Sequence, residues 1–125
     1  VLLLNEHEAQ HLLGTTGTGS ASDLRDGLAA RHVRRAIVTR GAGGCQVVDG
    51  TAPVVPVPSV DVTAVDTTGC GDAFTGALAL RVAAGQDLVA AAEFAATVGA
   101  YAATRPGAQN SYPTVAELHH FLADR

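Results

Sequence analysis

Lysine, methionine and tryptophan are absent from this sequence, aromatic side chains make up only 4% of it, and charged side chains only 16%. A chain without lysine cannot form a Walker-type phosphate loop, which requires Gly-Lys-Ser/Thr. Its eight basic residues are all arginine, they are scattered, and the formal net charge is -4, so no basic stripe is offered to a nucleic-acid backbone. No apolar run approaches the ~20 residues that a membrane-spanning helix needs. Val1-Leu2-Leu3-Leu4 also lacks the basic flank and cleavage site of a signal peptide. These absences predict a soluble, cytoplasmic protein that binds neither nucleic acid nor membrane. The two cysteines, Cys45 and Cys70, stand far apart with no C-x-x-C or Cys/His ligand spacing, which excludes a disulfide framework and a structural zinc site. His119-His120 lacks a third ligand.

What remains is rich in Ala, Val and Gly and 47% hydrophobic, the composition of a buried-core globular chain of 125 residues. It opens without an initiator Met inside an apolar run, so it reads as a fragment of a longer chain. Residues 1–4 form a strand, and Asn5-Glu6-His7-Glu8 opens a helix that stops at Gly14. A second helix over 23–32 leads into the strand Ala36–Thr39, which sets a βαβ rhythm. The turns Gly41–Gly44 and Asp49-Gly50 bound a strand-rich, hairpin-like middle third, Cys45–Val48 and Val54–Val57. Residues 60–65 alternate apolar with polar side chains and predict a half-buried strand. The turn Thr67–Gly71 then delivers the chain into helices over about 72–84 and 88–103, and Arg105-Pro106-Gly107 stops the second of these. Thr114 and Glu117 form a capping box for the last helix. The expectation is α/β, a mainly parallel Rossmann-like sheet with flanking helices.

The segment Asp66-Thr67-Thr68-Gly69-Cys70-Gly71-Asp72-Ala73-Phe74 carries the chemistry. A glycine turn at a helix N-terminus points unpaired N–H groups at one spot, where the helix dipole favours negative charge. Gly69 and Gly71 let a phosphate approach the backbone, and the carboxylate of Asp72 can face the hydroxyl that attacks it. Taken singly, Asp72 also reads as a cap and Gly69-x-Gly71 as a plain turn. The dinucleotide fingerprint G-x-G-x-x-G is missing.

This segment closely resembles the D-T-T-G-A-G-D-x-F signature of the PfkB family of carbohydrate kinases. Asn5-x-x-Glu8, the Thr39–Gly44 segment and Thr104–Gln109 are similar to further segments of that family, in its order. The resemblance implies the C-terminal, ATP-binding portion of a ribokinase-like fold over residues 1–125. The family's N-terminal sugar-binding part and lid do not appear in these residues, so the piece alone is expected to be inactive. The implied reaction is ATP-dependent phosphorylation of a sugar, D-ribose to D-ribose 5-phosphate being favoured by Arg105–Gln109. Fructose and 2-keto-3-deoxygluconate are the alternative substrates within the family, and a non-catalytic nucleotide-binding module is the alternative outside it.

Carried over by residue, the resemblance implies Asp72 as catalytic base and Gly69, Cys70 and Gly71 as donors of anion-hole amides. Asn5, Thr39, Arg40, Gly41, Ala42, Gly43, Gly44, Gly71, Asp72 and Ala96 would face ATP. Ala96 stands where several relatives have His or Asn, and Cys70 where the family usually has Ala. Glu8 would act through Mg2+ and its waters. A monovalent cation, K+, would be held by Asp66, Thr68, Ala102, Arg105, Gly107 and Ser111. Asn5-x-x-Glu8 also satisfies a capping box, and Arg105-Pro106-Gly107 also reads as a mere helix stop. The resemblance further implies a homodimer for the full-length protein. Cys70, at a helix N-terminus where a thiolate is favoured, is expected to be the more reactive cysteine.

Overall fold

The computed structural model describes residues 1–17 and 19–125, which divide into two compact units, Val1–Pro58 and Ser59–Arg125. The first unit is a four-stranded sheet in the order β1-β2-β3-β4, made of Leu2–Asn5, Arg35–Thr39, Cys45–Asp49 and Val55–Val57. β1 and β2 run parallel, with Leu2 opposite Ala36 and Asn5 opposite Thr39, whereas β2–β3 and β3–β4 are antiparallel. The sheet is therefore mixed, not mainly parallel. The parallel pair follows from the helical crossover, since parallel strands cannot be joined by a tight turn, and the antiparallel pairs follow from the Gly41–Gly44 and Asp49-Gly50 turns.

The crossover consists of α1 (Glu6–Leu13) and α2 (Ala21–Ala29). Asn5 caps α1 and Ser20 caps α2, each through a reciprocal capping box. Ala9 of α1 and Leu24 and Leu28 of α2 are buried with Ala36, Val38 and Val48 of the sheet, and Leu2 and Leu4 pack against this cluster. Alternate residues of β1 and β2 thus line one face, as the two-residue period requires.

The second unit holds α3 (Cys70–Ala83), α4 (Leu88–Ala103) and α5 (Val115–Ala123). Ala91, Ala92 and Ala95 of α4 are wholly buried, and small side chains of this kind let two helices approach closely. A Cβ placed on Gly99 of α4 would lie 3.5 Å from the Cys70 carbonyl oxygen and 3.7 Å from Phe74 Cβ, so α4 passes close to the start of α3. Arg81 of α3 lies over the Phe94 ring of α4 at 3.7 Å, a cation–π staple near the other end of the pair.

Two expectations fail in this unit. Residues 60–65 form no strand; instead the N–H groups of Val65 and Asp66 both donate to the Ala103 carbonyl, at 2.7 and 3.2 Å. The alternation of 60–65 marks extended backbone whose polar groups are taken up by the end of a helix and not by a ladder. α3 also starts two residues before Asp72, because Gly69 adopts a left-handed conformation and serves as its N-cap.

Candidate active site

The turn 66–72 is built around one carboxylate. Asp66 Oδ1 accepts from the Thr68 N–H and Oδ2 from the Gly107 N–H, both at 2.9 Å. These amide donors, Thr68 first, hold the Asp66 carboxyl below the usual carboxylate range. The chain then reaches Gly69 at φ 78°, ψ -1°. Glycine is required there twice over. The left-handed backbone disfavours any Cβ, and a Cβ would lie 3.0 Å from Ala108 Cα, 3.1 Å from Ala108 Cβ and 3.3 Å from the Tyr112 hydroxyl.

Beyond Gly69 the helix starts without a side-chain cap. The first intrahelical bond runs from the Ala73 N–H to the Gly69 carbonyl at 2.9 Å, and the Cys70 N–H donates to Thr67 at 3.2 Å. The N–H groups of Gly69, Gly71 and Asp72 have no acceptor among the described residues. Asp72 occupies the third helical position and is exposed, and its carboxylate caps nothing. Open space surrounds Gly71, with nothing within 4 Å of a Cβ built there. An acidic side chain that does no capping thus stands beside unpaired amides at the positive end of a 14-residue helix.

The loop after α4 closes around the same turn. Ser111 is fully buried and its hydroxyl donates to the Ala108 carbonyl at 2.5 Å. Arg105 lies over the Tyr101 ring at 4.9 Å and pairs with Glu117 of α5 at 3.5 Å, while Tyr101 meets Phe121 edge-on. Ala102 accepts from the Arg105 N–H at 3.2 Å. Ala96 lies on α4, half-buried, one turn before Gly99. Sequence reasoning took Ala108 only as part of the Thr104–Gln109 segment and passed over Tyr112, and both bear directly on Gly69. The only signal was the small residue at 108, and small residues are common here.

In the first unit Asn5 and Thr39 sit side by side at the carboxyl ends of the parallel strands, the position where open α/β sheets bind ligands. The capping-box reading of Asn5-x-x-Glu8 is realised. Asn5 Oδ1 accepts from the Glu8 N–H at 2.9 Å and the Asn5 N–H donates to Glu8 Oε2 at 2.8 Å, which leaves Glu8 Oε1 uncommitted. Gly41–Gly43 forms a short 3₁₀ turn closed by the Arg40 N–H donating to Gly44 at 2.8 Å. Arg40 Nε is buried without a partner among the described residues, beside a cavity of about 130 Å³.

Cys70 corrects an expectation. Burial, and then the Asp66 charge, push its thiol up and not down. Burial pushes the Cys45 thiol up to about 11, and Cys45 is the more buried of the two.

A profile of the pfkB family carbohydrate kinases matches residues 1–115. The chain belongs to this family. It is 36% identical to the ribokinase of Schizosaccharomyces pombe over 122 residues, covering 94% of this chain and 38% of that protein. It is 34% identical to the ribokinase of Bacillus subtilis, covering 95% and 38%. The solved ribokinase of Thermotoga maritima superposes with a TM-score of 0.84 at 30% identity, covering 98% of this chain and 41% of that one. A fructokinase of Vibrio cholerae, solved with fructose, ADP and calcium, gives 0.82 at 32% identity, covering 96% and 40%. The fold is ribokinase-like, and the chain spans about two fifths of the length of these relatives.

Proposed function

We propose that residues 1–125 are the ATP-binding C-terminal portion of a kinase that transfers the γ-phosphoryl group of ATP to a sugar hydroxyl, with Asp72 as the base. The observation that carries this reading is the placement of Asp72: exposed, capping nothing, and flanked by unpaired amides of Gly69 and Gly71. As the sugar oxygen bonds to the γ-phosphorus, its proton passes to the Asp72 carboxylate, and the bond from that phosphorus to the β–γ bridging oxygen breaks to leave ADP. The amides of Gly69 and Gly71, with that of Asp72 itself, stabilise charge on the transferring group. Cys70 fits this anion hole less directly, since Thr67 already accepts from its N–H.

The family resemblance gives nucleotide-binding roles to Asn5 and Thr39–Gly44 and, taken separately, to Ala96, Gly71 and Asp72. The donors suit the metals that the family reading implies. The free Glu8 Oε1 fits an ion that takes few carboxylates and keeps its waters. Magnesium, when bound, neutralises charge on the β- and γ-phosphates. The described residues hold no group of three His, Cys, Asp or Glu side chains placed for a metal. A single carboxylate, Asp66, with the Thr68, Ala102, Arg105 and Gly107 carbonyls and Ser111, fits a monovalent cation such as K+ better than a divalent one.

D-ribose is the favoured substrate because the relatives at 36% and 34% identity are ribokinases. Fructose is the second candidate, on the similarity to the fructokinase. The 125 residues by themselves are expected to be inactive, and the full-length protein is read as a cytoplasmic homodimer. Among the described residues no helix is long and apolar enough to cross a membrane. ADP release by the full-length protein, measured against D-ribose, D-fructose and 2-keto-3-deoxygluconate, tests the assignment. The highest kcat/KM is expected with ribose, and no release with any sugar would refute a kinase.

A further inference from the structure

We propose that Asp66 is a positioning residue, whose carboxylate fixes the Asp72-bearing turn against the loop that follows α4. Its two oxygens are divided between two segments: Oδ1 accepts from Thr68 within the turn and Oδ2 from Gly107, 41 residues away, each at 2.9 Å. Among the described residues no other side chain joins these segments through two oxygens. Around this pair the fit is close. The Val65 and Asp66 N–H groups share the Ala103 carbonyl, and Gly69 faces Ala108 with no room for a methyl group.

The consequence follows from how α3 begins. No side chain caps its first turn, so the direction of the Gly71 and Asp72 amides is set by the backbone entering at Gly69. That backbone is held on one side by Thr68, through Asp66, and on the other by Ala108, one residue from Gly107. Hydrogen bonds to an ionised carboxylate are among the stronger ones, and both donors here are main-chain N–H groups. A loosened Asp66 would let Asp72 and its amides drift from the reacting atoms, where misplacement of about 1 Å costs roughly 100-fold in rate.

This role rests on Asp72 being the base, but one arm of the test does not. In the full-length protein, hydrogen exchange at the Gly107 amide is read by NMR in wild type, Asp66→Ala and Asp66→Asn. Loss of the carboxylate acceptor is expected to speed exchange about ten- to a hundred-fold in Asp66→Ala. A smaller rise is expected in Asp66→Asn, which keeps one acceptor oxygen and serves alone if the alanine variant does not fold. Turnover is expected to fall with the sugar KM unchanged, and raising potassium is expected not to restore it. Unchanged Gly107 protection in both variants would overturn the proposal. So would turnover that recovers fully in high potassium, because Asp66 would then act only by holding the ion. Should Asp72→Asn retain turnover, the kinase assignment fails, and the exchange rates still decide whether Asp66 is the latch.

Discussion

Replacing Gly69 with Ala is expected to damage this protein far more than the same change two residues on. At Gly69 the left-handed backbone costs an alanine roughly 1–2 kcal/mol. The added methyl also meets Ala108 Cα at 3.0 Å and Ala108 Cβ at 3.1 Å. Backbone cannot swing aside as a side-chain tip can, so overpacking adds about 1–3 kcal/mol, for a total of roughly 2–5 kcal/mol. At Gly71 the backbone is helical and nothing lies within 4 Å of a new Cβ. Gly71→Ala is therefore expected to be neutral, or to stabilise by up to ~1 kcal/mol through helix propensity. On the proposed anion-cradle role, its methyl group would stand where a phosphate approaches the amides, and turnover is expected to fall. Urea unfolding of the full-length protein, with turnover measured in parallel, separates the two effects. Gly69→Ala with wild-type stability would refute the close approach to Ala108. Gly71→Ala with wild-type turnover would refute the anion cradle.

At neutral pH a maleimide is expected to label Cys70 before Cys45, which is 3% exposed with its thiol pushed up to about 11, and Mg-ATP is expected to slow the labelling. Equal labelling of both thiols, indifferent to nucleotide, would contradict the placement of Cys70 beside the anion hole. Activity is expected to rise when potassium replaces a bulky organic cation, and Asp66→Ala is expected to weaken that response. Rates indifferent to the monovalent ion in both proteins would remove the cation site. Glu117, drawn below the usual range first by the Thr114 amide, has a folded pKa under its unfolded one. Its stabilisation is therefore present above the unfolded value and is lost as pH falls through the folded value. Glu117→Gln is expected to lower the thermal midpoint at pH 7 and to leave it nearly unchanged in strong acid, where an equal loss at both pH values would contradict the assignment.

Local chemistry was legible in the sequence, and long-range chemistry was not. The capping boxes at Asn5–Glu8 and Thr114–Glu117 could be read because both partners lie within one turn. The Ser20–Asp23 box, which starts α2 earlier than expected, was hidden inside a run of Gly and Thr. Turn signals at Gly41–Gly44 and Asp49-Gly50 anticipated the antiparallel pairs, and the helical crossover anticipated the parallel one. Residues 60–65 misled because a two-residue period describes extended backbone whether or not a neighbouring strand exists to pair with it. Asp72 stood out as acidic at a helix start, but only the geometry distinguishes it from a cap, since Gly69 takes the N-cap position. Nothing in the residue order could show that Asp66 accepts from an amide 41 residues away. The Cys70 thiol was misjudged because the helix dipole was weighed without the burial that opposes it.

The central claim is that Asp72 removes the proton from the sugar hydroxyl, and Asp72→Asn in the full-length protein tests it most directly. The change keeps the size of the side chain and removes its basicity. Sugar-dependent ADP release and ATP affinity are measured together on the same preparation. Turnover is expected to fall by roughly 10²–10⁴, the usual contribution of a general base, with ATP affinity nearly unchanged. Near-wild-type turnover would contradict the account.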